Sequence, residues 1–298
     1  MKKLNSILDI HADDYALSPN SDSDIINLCK LGKLNSISII PNLNFFNLSV
    51  QNFLKEKKSF PNEIKISVHT NVMEGKCCYS NPSELPHLVN TEGYFITSWG
   101  KLFVQNYIPF LRNKIKIELK KEIIAQIETC INANVINTNG IRIDSHQHPH
   151  MIPLFYEAIF EALDEKKYSV EYIRNTIDPI SFYKNNRTDS IANIIKCLIL
   201  NHYSRRLSRF LKKRNLPDSY LFGVYFSGKM DERINKTLPV FLQKAKDNNR
   251  IVELLFHPGL MLKEEFNEDF TKEGFNEFHL SENRHIEYET VKNLKVLI

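Results

Sequence analysis

The stretch Ile141-Arg142-Ile143-Asp144-Ser145-His146-Gln147-His148-Pro149-His150 decides how the chain is read. Its first part is a short β-like run. Its second part sets three histidines at two-residue spacing behind Asp144. In an extended chain, residues two apart point to the same side, so the pattern predicts that Asp144, His146 and His148 face one point. Imidazole and carboxylate together are a common ligand set for a divalent metal. A polar turn with ordinary hydrogen-bonded histidines is the alternative for this stretch taken alone.

Three more segments carry similar chemistry, each at the end of an apolar run. Ser6-Ile7-Leu8-Asp9-Ile10 leads into His11-Ala12-Asp13-Asp14-Tyr15. Ile64-Lys65-Ile66-Ser67-Val68 leads into His69, and Ile251-Val252-Glu253-Leu254-Leu255-Phe256 stops at His257 and a Pro258-Gly259 turn. The adjacent carboxylates of Asp13 and Asp14 repel unless a cation or a proton resolves them. A helix N-cap is their other use, but Ser18-Pro19-Asn20 is the better cap for a helix expected from about Asp22. Single histidines at such places are more often structural than ligating. Four strand ends tipped with Asp or His nevertheless make a pattern, because parallel α/β folds gather functional groups at the carboxyl ends of their strands. A metal-dependent hydrolase needs such a convergence.

Strands are expected at 6–10, 36–40, 64–69, 140–144, 170–174, 222–226 and 252–256. Helical patterns lie between them, notably at 22–31, 114–134, 154–166, 231–248 and 282–297. This alternation predicts an α/β fold: one domain over 1–298, an incomplete or distorted (β/α) barrel of about seven parallel strands. Two insertions interrupt it, at about 77–111 and 183–215. The first holds Tyr79, Tyr94, Phe95, Trp99, Phe103 and Tyr107, rings that either stack on sugar faces or pack the loop onto the barrel. The second ends in a basic run at 204–214, with Leu207, Phe210 and Leu211 on one side. Five uses stay open for that run: peripheral contact with an anionic membrane, binding of a phosphorylated or lipid-linked substrate, binding of nucleic acid, a solvated helix face, or a dimer contact.

A net charge of +4 calls for no polyanionic partner, and no nucleic-acid-binding motif is present. No apolar run approaches the ~20 residues of a membrane span. Asp9 interrupts the apolar run behind the basic start Met1-Lys2-Lys3-Leu4-Asn5, which argues against a signal peptide. The five cysteines are odd in number and contain no C-x-x-C, so reduced thiols and a cytoplasmic location are expected.

Taken in order, these segments resemble the YdjC-like (ChbG/HpnK) carbohydrate deacetylase family. Ala12-Asp13-Asp14-Tyr15-Ala16-Leu17-Ser18 resembles the family's ADDFGLS opening, and Gly32-Lys33-Leu34-Asn35-Ser36-Ile37-Ser38 its G-x-x-T-S-T-S strand. Val68-His69-Thr70-Asn71-Val72-Met73-Glu74-Gly75-Lys76 is similar to HLxLTEGxP. Asp144 to Pro153 is similar to DSHQHVHxxP, the most specific match. Tyr172-Ile173-Arg174, Phe222 to Gly228 and Glu253 to Gly259 match later segments.

The resemblance implies a hydrolase that removes the acetyl group from an N-acetylated saccharide or glycolipid. It implies a divalent metal, Mg2+ or Zn2+, on Asp14, His69 and His146, with Asp13 as general base. His257 would be general acid or oxyanion partner, and Arg174 would orient the base or hold substrate. A homodimer is also within the family's habits. His11 stands where the family has Asn, Tyr15 and Ala16 replace Phe and Gly, and Cys77 replaces Pro. A non-catalytic carbohydrate-binding homologue and a metal hydrolase of another bond are the competing readings.

Overall fold

The computed structural model describes residues 7–184 and 186–295. The expectation for residues 1–5, the first residue of the first expected strand and the last two of the final expected helix lie outside them. Along the chain run β1 (Leu8–Tyr15), α1 (Pro19–Lys30), β2 (Ser36–Ile39), α2 (Phe46–Glu56), β3 (Lys65–Thr70), α3 (Trp99–Gln105) and α4 (Pro109–Asn132). They are followed by β4 (Ile141–Ser145), α5 (Pro153–Lys166), β5 (Val170–Ile173), α6 (Ile191–Lys213), β6 (Ser219–Phe222), α7 (Ile234–Asp247), β7 (Ile251–Phe256), α8 (Glu273–His279) and α9 (Asn283–Asn293).

The seven strands form one sheet in the order β5-β4-β3-β2-β1-β7-β6, every neighbouring pair parallel. The sheet curls into a half-barrel whose edges approach each other. The Leu221 N–H donates to the carbonyl of Ile177 just beyond β5 (2.9 Å), and Tyr172 Oη on β5 donates to Ser219 Oγ on β6 (2.9 Å). The sheet's outer face is apolar. Ile37, Ile39, Val68, Ile143 and Ile173 are wholly buried there, as expected where helices cover parallel strands. The inner face is polar instead. Alternation along each strand sends Asp9, His11 and Asp13, Ser36 and Ser38, His69, Arg142 and Asp144, and Glu253 into the curl, and all are buried.

The sequence places one strand wrongly. The sixth lies at Ser219–Phe222, not 222–226. An apolar run this long has no internal mark of where pairing ends. Gly223 supplies the break: a Cβ there would meet Leu255 of β7 at 2.8 Å, and Ser227 N–H then donates back to Val224 O (3.1 Å) to close a turn.

Helix α4 begins at Pro109, a favourable first helical residue, which shortens the first inserted stretch. On α6, Leu207 and Leu211 are wholly buried and Phe210 stacks on Phe160 at 5.7 Å. The apolar side of 204–214 is therefore spent on the core and cannot enter a membrane; Arg205, Arg206 and Arg209 face solvent. No described helix is long and apolar enough to cross a membrane.

Candidate active site

Asp13 and Asp14 are neighbours, yet both reach the mouth of the curl. In a regular strand they would point to opposite faces. Between Ala12 and Tyr15 the β1–β2 register gains a residue, and Asp14 takes a left-handed backbone with φ 64°. That β-bulge turns the second carboxylate to the same end of the sheet as the first. Asp14 Oδ1 lies 2.9 Å from His146 Nδ1 and 3.3 Å from His69 Nε2. One ligand atom from each of the three lies within 4.8 Å of the others. His69 Nδ1 in turn bonds Asp144 Oδ1 at 2.6 Å, which fixes the ring and leaves Nε2 facing Asp14.

Beneath these residues Arg174, wholly buried, donates to both oxygens of Asp13 at 2.8 Å and to Glu253 Oε1 at 2.6 Å. It also lies 3.1 Å from Asp144 Oδ2. His11, Asp13 and Asp144 form a second cluster with metal-like spacing, but the guanidinium already neutralises that point. His11, the family's Asn position, is pinned by Ser36 Oγ and Ser38 Oγ, each at 2.6 Å, and approaches Asp13 Oδ1 at 3.1 Å.

Burial alone would raise the Asp13 carboxyl, but the Arg174 and His69 charges override it and hold it well below the carboxylate range. For Asp14 the same burial is outweighed by His146 and His69. Burial would lower His69, but Asp13 and Asp144 push it up to about 10. His257 goes the other way: burial pulls it down to about 4 despite Asp14 and Asp13, so it rests neutral. Its Nε2 lies 3.9 Å from Asp13 Oδ2. The loop carrying it is anchored by Glu287, which accepts its backbone N–H (2.6 Å), and by Gly259, where any Cβ would meet the Ser21 carbonyl of α1 at 2.6 Å.

The structure thus brings Asp13, Asp14, His69, His146, Arg174 and His257 to one end of the sheet. It does not bring Asp144, His146 and His148 to one point. Strand β4 ends at Ser145, and Gln147 and His148 both adopt left-handed φ, 62° and 63°. The two-residue alternation is lost there. Asp144 supports His69, and His150 is buried between Ser145 Oγ and the Arg174 carbonyl.

A cavity of about 750 Å³ opens above these residues. Its other walls carry groups the sequence did not single out as functional: Lys196 on α6, and Lys272, Phe275, Phe278 and His279 around α8. His279 Nε2 is 3.6 Å from Asp14 Oδ2. Glu74, after β3, is buried without a hydrogen-bond partner and lies 3.6 Å from Lys272 Nζ. Of the aromatic stretch, Trp99 lines the cavity and stacks on Phe103 at 5.4 Å, while Phe95 packs into the core.

The family model for YdjC-like proteins matches residues 7–297. A carbohydrate deacetylase of Xenopus laevis is 24% identical over 305 residues, covering 95% of this chain and 90% of its own. One from Mus musculus is 23% identical over 165 residues, 55% of this chain and 49% of its own. Among solved structures, a proposed cellobiose-phosphate cleavage protein of Enterococcus faecalis superposes with a TM-score of 0.59 at 19% identity. That match covers 97% of this chain and 96% of the other, and the likeness is one of fold.

Proposed function

The chain belongs to the YdjC-like protein family, and from that membership we propose that it is a metal-dependent carbohydrate deacetylase, a hydrolase that frees acetate from an N-acetylated sugar. The observation that carries this reading is the meeting of Asp14, His69 and His146 beside Asp13 and His257 at the cavity floor. The carbohydrate deacetylase name of a relative spanning 95% of the chain agrees with it.

The residues fit a divalent cation. Asp14 Oδ2 is buried with no hydrogen-bond partner, and one carboxylate with two imidazoles is a donor set that zinc accepts more readily than magnesium does. Asp14, His69 and His146 would hold the ion. When bound, such a cation supplies polarisation of an amide carbonyl and acidification of a water.

Asp13 is the general base of this proposal. Arg174 fixes its orientation and keeps it ionised, which also makes it a weak base suited only to an acidified water. Oδ2, the oxygen facing His257, takes the proton. The departing amine must be protonated to leave, and His257 delivers that proton. Because His257 rests neutral, its proton arrives within the cycle from Asp13, whose Oδ2 is 3.9 Å away, through one bridging water. Arg174 touches no reacting atom in this scheme and acts as a positioning residue. A cytoplasmic site of action fits five free thiols.

The test is acetate release from a panel of N-acetylated sugars, using protein stripped of metal and reloaded with zinc, magnesium, manganese or cobalt. Release that returns with metal is expected. No release from any sugar with any metal, while the ion still binds, would overturn the reading.

A further inference from the structure

We propose that Lys196 and His148 form a subsite for a carboxylate on the substrate, so that this chain selects an N-acetylated amino sugar that also carries a single negative charge. The inference rests on the deacetylase reading and adds the substrate class.

Both side chains line the cavity. Lys196 comes from α6 and is only partly exposed, yet its ammonium makes no hydrogen bond or ion pair with any described residue. His148 is 5% exposed, and its Nδ1 has no hydrogen-bond partner. A buried polar atom left unpaired costs about 1–3 kcal/mol, and a native structure retains such atoms where a ligand completes them. Burial lowers Lys196, and a bound anion would offset that by favouring the ammonium. The pair therefore offers one ammonium and one unpaired ring nitrogen on the same cavity wall.

The other side-chain charges around the cavity are already matched, and the cation proposed for Asp14, His69 and His146 is taken up by the amide carbonyl and the water. Asp13 has Arg174, Asp14 lies against His69 and His146, and Lys272 lies 3.6 Å from Glu74. One ammonium remains, which balances a monoanion. A phosphate dianion would need a second cation that these walls do not supply. Ile199 and Leu200 beside Lys196 make this stretch of the wall apolar, which weakens screening of the contact.

The probes are N-acetylmuramic acid, its methyl ester as the neutral counterpart, and N-acetylglucosamine 6-phosphate as the dianion. Binding is followed by fluorescence of Trp99, the single tryptophan, which lines the same cavity. This readout needs no turnover, so failure of acetate release and failure of the subsite are told apart. The acid is expected to bind about tenfold tighter than its ester, the lower end for a hydrogen bond to a charged group. In Lys196→Met that ratio should fall to about one, and in Lys196→Glu it should invert. With turnover, the change should appear in KM and not in kcat. Equal binding of acid and ester, an unchanged ratio in Lys196→Met, or preference for the phosphate would each overturn the proposal.

Discussion

Beneath the cavity floor Arg174 is bonded to Asp13 and Glu253 and lies against Asp144, whereas on the α6 wall Lys196 has no partner among the described residues. Both are cations beside one cavity. The floor is built from strands, where hydrogen-bonded neighbours fix most side chains, and every charge there but the Asp14 oxygen left for a metal is answered by another. The wall is built from a helix, and one of its charges is left for something outside the chain. The difference separates groups that are held ready from groups that wait for a ligand.

Arg174→Met attacks the floor hardest. It leaves Asp13, Asp144 and Glu253 together in a buried space, and removing one partner of such a network costs about 3–5 kcal/mol. Urea unfolding should show that loss; a change under 1 kcal/mol would mean the acids shed their charge cheaply, and the contrast with the wall would collapse. Asp13→Asn should leave the bound metal in place while lowering kcat about 10³-fold, within the usual range for a general base. Metal analysis with acetate release checks it, and near-native turnover would end the base assignment.

Asp144→Asn weakens the support behind His69 and should cost about 10–100-fold in metal affinity, measured by competition with a chelator. Unchanged affinity would mean His69 needs no support from behind.

The fourth prediction concerns pH. Metal-free His69 sits at about 10 in the folded chain, above the ~6.5 of an unperturbed imidazole. The folded form therefore holds a proton that the unfolded chain has lost. This contribution is complete below about pH 6.5, declines as pH rises by at most about 1.4 kcal/mol per unit, and is gone above about pH 10. A urea midpoint that stays flat or climbs over that window in chelator would contradict it. Smallest is the stability effect of Lys196→Met, expected within about 0.5 kcal/mol. A large loss there would show a hidden structural partner and erase the difference between wall and floor.

Much of the floor was legible in the sequence, for a physical reason. Parallel strands covered on their outer face read as apolar runs, and a His or Asp at the end of each run marks the mouth. Glu253, a charge inside the run of β7, already signalled a polar interior. The bulge at Asp14 was not legible, because a left-handed backbone at a residue other than glycine leaves no mark in composition. His148 misled for a related reason: two-residue spacing means one face only while the strand lasts. The sixth strand was misplaced because Tyr220 to Phe226 is nearly uniform in its apolar character. Lys196, Lys272 and His279 were missed because helices and loops bring them in from far along the chain, and no local pattern announces that.

Strand β1 lies with two strands on one side of it and four on the other. Its peptide hydrogens should be among the slowest in the molecule to exchange with heavy water, since the opening that releases them approaches global unfolding. Asp13 and Asp14 are carried on that strand, whereas Lys196 is carried on a helix at the periphery. Mutational drift can therefore reshape the wall, and with it the choice of sugar, while the acids that cut the bond stay in the part of the fold least tolerant of change.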